Sequence, residues 1–118
     1  MKRLGLVAAV LGAALIVGVA SSRAAGTFTV GPTAVTAGAE VTLSFCGFAT
    51  GGAGYYTVGG PSVNGTRFWG PATAGACLTY VESTAGWAAG KYKFIAYVST
   101  STGQASKIGS TVVTVSAP

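Results

Sequence analysis

Val41-Thr42-Leu43-Ser44-Phe45-Cys46 alternates large apolar side chains with small or polar ones. That is the period of two which sends successive side chains to opposite faces of a β-strand and leaves one face buried. The same period returns over residues 91–98, where Tyr92, Phe94, Ala96 and Val98 interleave with Lys91, Lys93, Ile95 and Tyr97. A β-branched run follows over 111–115. Turn signals punctuate the chain at short intervals: Gly31-Pro32, Ala37-Gly38, Gly51-Gly52, Gly59-Gly60-Pro61, Asn64-Gly65, Gly70-Pro71, Gly86, Gly90 and Gly103. Together they predict an all-β domain with strands near 27–30, 33–36, 40–46, 54–58, 66–69, 77–82, 91–99 and 107–116. Asn64-Gly65 is the strongest hairpin signal, because both residues tolerate the positive φ of a type I′ turn, and it predicts the turn joining 54–58 to 66–69.

The chemistry open to this chain is narrow. It has no histidine and no aspartate, and its only acidic residues are Glu40 and Glu82. Proton transfer near neutral pH draws on His or paired carboxylates, and metal sites draw on His, Cys, Asp and Glu. The expectation is a protein that is not an enzyme, with no catalytic residues, no metal and no cofactor. Disorder is not expected either, since aromatic residues recur from Phe28 to Tyr97 and charges are few.

The first residues read as an export signal. Lys2 and Arg3 precede an apolar run from Leu4 to Ala20, and small residues follow to Gly26. Cleavage after Ala20 or after Ala24 fits, and Ser22 and Ala24 supply the small-x-small pattern for the latter. The expected organisation is therefore a signal-peptide helix over 1–24 and one domain over 25–118, secreted or held at the cell surface. The alternative is an uncleaved leader that anchors the chain, its only expected route to a membrane. Without the leader, Arg67, Lys91, Lys93 and Lys107 stand against Glu40 and Glu82. Such sparse charge is not the clustered basic footprint of a nucleic-acid binder.

The stretch from Val30 to Phe45, the segment Trp87-Ala-Ala-Gly-Lys-Tyr-Lys-Phe94 and the closing Thr111-Val-Val-Thr-Val115 together resemble the immunoglobulin-like domains of bacterial and archaeal secreted and surface proteins. The resemblance spans most of residues 25–118 and implies a single β-sandwich of about seven to eight strands. Gly90-Lys91-Tyr92-Lys93-Phe94 is similar to the tyrosine corner of such domains, with Phe94 where antibody domains carry a Cys. The antibody-type bridge is therefore absent. In an exported chain, Cys46 and Cys77 are expected to pair instead, pinning the ends of two strands.

Candidate contact residues concentrate between Gly54 and Pro71. Tyr55, Tyr56, Arg67 and Trp69 are of the types that dominate binding hot spots. Strand parity puts Arg67 and Trp69 on one face and Phe68 on the other. In one register Trp69 is an exposed anchor; in the other it is core, as Trp87 is expected to be. Asn64-Gly65-Thr66 is also an N-glycosylation pattern. Two functions follow as expectations: a module that binds an extracellular glycan or protein, or a self-assembling subunit of a filament or sheath joined by strand complementation. A small-ligand carrier, of the type built on compact immunoglobulin-like sandwiches in actinobacterial chromoproteins, is a third.

Overall fold

The computed structural model describes residues 26–100 and 103–118, so the leader lies outside the described residues. Eight strands form in chain order: β1 Thr27–Gly31, β2 Ala34–Thr36, β3 Glu40–Cys46, β4 Gly54–Gly59, β5 Asn64–Trp69, β6 Cys77–Ser83, β7 Gly90–Ser99 and β8 Ala105–Ser116. Among the described residues there is no helix long and apolar enough to cross a membrane. The strands divide into a three-stranded sheet ordered β1-β3-β6 and a five-stranded sheet ordered β2-β8-β7-β4-β5. All pairings are antiparallel except that of β2 with β8, which is parallel. The described residues are thus all-β, with two sheets enclosing one apolar core in the manner of a β-sandwich.

Alternation explains which residues fill that core. Val41, Leu43 and Phe45 from β3 face Tyr56 and Val58 from β4, Tyr92, Phe94 and Ala96 from β7, and Val113 and Val115 from β8, all of them buried. Phe45 is the hub: it stacks on Trp69 with ring centroids 4.6 Å apart and contacts Phe28, Tyr56 and Tyr80. Such aromatic contacts add to area burial, by about 0.5 to 1.5 kcal/mol each. Thr84 is the buried polar residue of the core. Its hydroxyl donates to the carbonyl of Ala39 at 2.6 Å and accepts from the amide of Gly38 at 3.0 Å, so its burial leaves nothing unpaired.

At one end of the sandwich the Tyr92 hydroxyl donates to the Ala88 carbonyl at 2.6 Å. Because its proton is committed there, Ser62 Oγ donates to Tyr92 at 2.8 Å while accepting the Ala88 amide at 2.8 Å. Trp87 packs against the same ring, with centroids 4.7 Å apart. This cluster settles where the β4–β5 hairpin turns. The turn is Gly60–Val63, closed by the Gly60 amide on the Val63 carbonyl at 2.9 Å. Gly60 lies flat against the Tyr92 ring, and a Cβ there would run into it. The type I′ turn expected at Asn64-Gly65 is therefore corrected: both residues belong to β5, paired with Gly59 and Val58. Docking of Gly60 and Ser62 on Tyr92 overrides the local Asn-Gly preference, a case of tertiary contact deciding against intrinsic turn chemistry.

Candidate functional site

Cys46 and Cys77 are directly opposite each other at the ends of β3 and β6, and they are bridged. The bond lies within one sheet, on its outer side, and pins two strand ends without entering the core.

The four expected contact residues separate in space. Trp69 is 2% exposed, wedged between Phe45 and Phe48, and its indole N–H donates to the Tyr97 carbonyl at 3.0 Å. Tyr56 is 3% exposed. The register that puts Trp69 inside is the one observed, and Arg67, sharing its face, points into the gap between the sheets. There it forms a two-point ion pair with Glu82, Nε to Oε1 at 3.2 Å and Nη2 to Oε2 at 3.1 Å. Tyr56 adds a third bond, its hydroxyl donating to Glu82 Oε1 at 3.0 Å. β5 and β6 are the outermost strands of their respective sheets on this side, so the Arg67–Glu82–Tyr56 cluster ties the open edges together.

Burial, reinforced by the Glu82 carboxylate, pushes the Tyr56 hydroxyl well above the ordinary tyrosine value near 10. The fold favours the protonated form. Its stabilisation is complete below the unfolded-state value and declines as pH rises beyond it toward the folded-state value. Thermal midpoints are expected to fall more steeply above about pH 10 in the wild type than in Tyr56→Phe, which has no proton to lose at that position. Parallel pH profiles would remove Tyr56 from this role.

The outward face of the five-stranded sheet gathers a different set. Phe68, Tyr55, Tyr97 and Lys107 are in register across β5, β4, β7 and β8. Phe68 is 79% exposed, while Tyr55 and Tyr97, half-buried, stack on one another with centroids 4.9 Å apart. The next row is Thr66, Thr57, Ile95 and Ser110, and the one after it Asn64, Gly59, Lys93 and Val112. Gly59 contributes no side chain, which leaves a groove of about 500 Å³ among Thr57, Asn64, Thr66, Lys93 and Ile95. Asn64 is exposed, with its Nδ2 donating to the Gly60 carbonyl at 3.3 Å.

Of the expected contact residues, only Tyr55 belongs to this face. Strand parity groups Tyr97 with Lys91 and Lys93 and sets Phe68 opposite Trp69, so both face outward in the register observed. Cross-strand register, which local pattern does not give, brings them together. No family model matches the chain, and neither curated proteins nor solved structures yield a match. What the described residues define is the class: an eight-stranded, two-sheet, disulfide-bridged β-domain with an aromatic outer face.

Proposed function

We propose that the protein is a non-enzymatic, exported module of immunoglobulin-like type that binds an extracellular glycan or protein through the outward face of its five-stranded sheet. The observation that carries this reading is Phe68, a large apolar side chain left 79% exposed in register with the stacked Tyr55–Tyr97 pair. Exposed aromatic groups gathered in one patch are costly for a free surface and mark contact sites. The immunoglobulin-like type is supported by the transfer of the chain from β1 in one sheet to β2 in the other, and by the Tyr92–Ala88 bond, which has the form of a tyrosine corner. Export is supported by the leader pattern and the disulfide. The composition, with neither His nor Asp, supports the absence of catalysis.

Phe68→Ala and Tyr55→Ala are each expected to weaken attachment of the purified protein to the surface of the producing cell by about 1 to 3 kcal/mol, with folding little changed for Phe68→Ala. Thr29→Ala and Thr79→Ala, on the outer face of the other sheet, are the controls. Equal attachment by all four variants would overturn the reading.

The second reading is a filament subunit joined by strand addition. One observation favours it: the outer edge of β6 has no strand beside it among the described residues, and Val81 on that strand is exposed. Sedimentation separates the two readings, since a monomer at micromolar concentration fits the binding module and concentration-dependent fibres fit the filament.

A further inference from the structure

The charges of the described residues are distributed unevenly between the two outer faces. Arg67 and Glu82 neutralise one another between the sheets. Lys91 and Lys93 share the outward side of β7 with Ile95 and Tyr97, and Lys107 stands opposite Tyr97 on β8. All three lysines are exposed and share the face that holds the aromatic row. The remaining carboxylate, Glu40, is on β3 of the other sheet. One face therefore carries three cations and no acidic group. From Lys91 to Tyr97 the strand covers about 20 Å at the rise of an antiparallel strand, so the cations border the face along most of its length.

Beside this line the groove is furnished with hydrogen-bonding groups. Thr57 and Thr66 supply hydroxyls, and the Asn64 carboxamide oxygen leans over the floor, 3.4 Å from where a Cβ at Gly59 would stand. Ring faces for stacking, neutral donors and acceptors in a recess, and a flanking row of ammonium groups suit a chain of sugar rings bearing periodic anionic groups. We propose that this face binds an acidic polysaccharide. Its rings lie over Phe68 and the Tyr55–Tyr97 pair, its hydroxyls meet Thr57, Thr66 and Asn64, and its anionic groups meet Lys91, Lys93 and Lys107. The proposal rests on the reading of this face as the contact surface and narrows its partner. A nucleic acid would call for denser charge with arginine forks. A lipid surface would call for apolar groups where the recess and its polar walls stand.

The test compares retention of the protein on immobilised polygalacturonate, alginate and dextran sulfate with retention on neutral dextran and mannan and on vesicles of anionic phospholipid. Expected are binding to acidic polymers over neutral ones, weakening between about 0.05 and 0.5 M salt as the charges are screened, and a loss of about tenfold or more for the Lys91→Gln/Lys93→Gln/Lys107→Gln variant. The corresponding triple Lys→Arg variant retains binding, and thermal midpoints check that each variant is folded. Gly59→Val, which fills the groove floor, lowers binding to the same polymers. Binding to dextran or mannan that depends on Phe68 but ignores the lysines would overturn the acidic assignment while leaving the contact face in place. Retention on no acidic polymer, or equal retention on lipid vesicles, would overturn it too, and the cell-surface assay with Phe68→Ala then decides the contact face on its own.

Discussion

Trp69→Ala is expected to lower folding stability by about 3 to 5 kcal/mol, the usual cost of emptying a buried indole site that cannot collapse. The side chain is enclosed by Phe45 and Phe48 and hydrogen-bonded to the Tyr97 carbonyl, so truncation opens a cavity and removes the bond from the indole. A small domain holds only about 5 to 15 kcal/mol in total, so the loss is a large share of it. Urea unfolding of the variant measures it directly. The contrast is Phe68→Ala, one residue earlier on the same strand, for which a change near zero is expected because its ring is in solvent. A large loss for Phe68→Ala with little change for Trp69→Ala would mean that the inward and outward faces of β5 had been exchanged.

The disulfide is the second large term. Cys46 and Cys77 are separated by 31 positions, and closing a loop of that size restricts the unfolded chain enough to stabilise the fold by about 3 to 4 kcal/mol in the chain-entropy picture. Cys46→Ser/Cys77→Ser is expected to reproduce the loss seen when the wild type is reduced, and its own unfolding should be indifferent to reductant. Matching midpoints for oxidised and reduced wild type would show that β3 and β6 hold their register without the bridge. That register is backed by seven residue pairs from Glu40–Ser83 to Cys46–Cys77, so the folded structure of the reduced chain, where populated, should be the same one.

Much of this architecture can be read from local pattern, because burial of one sheet face imposes a period of two on the sequence. The strand at 40–46 is the clearest case, observed as Glu40–Cys46. The strands at 77–82 and 91–99 differ from Cys77–Ser83 and Gly90–Ser99 by one residue. The pairing of the cysteines at strand ends was legible as well. What local pattern does not carry is which face of a strand turns inward. Parity groups Arg67 with Trp69 and sets Phe68 apart, yet hydrophobicity alone would bury Phe68 and expose Arg67. The inward side is decided by Glu82, 15 positions away, which neutralises Arg67 in the gap, and by Phe45, which stacks on Trp69. Both are long-range contacts. The Asn64-Gly65 turn failed for a related reason: the turn position was set by the fit of Gly60 against Tyr92, more than thirty residues further along. The candidate site was legible in Tyr55 and, through parity, in Phe68 and Tyr97, but that these form one patch is set by register across four strands.

If the outward face of the five-stranded sheet is the contact surface, titrating isotope-labelled protein with an oligogalacturonate and following backbone amide shifts will mark it. Shift changes are expected to concentrate at Tyr55, Thr57, Phe68, Lys93 and Tyr97, with Thr29, Thr42 and Thr79 on the opposite sheet unmoved. Changes confined to that opposite sheet or to the edge of β6 would contradict that reading.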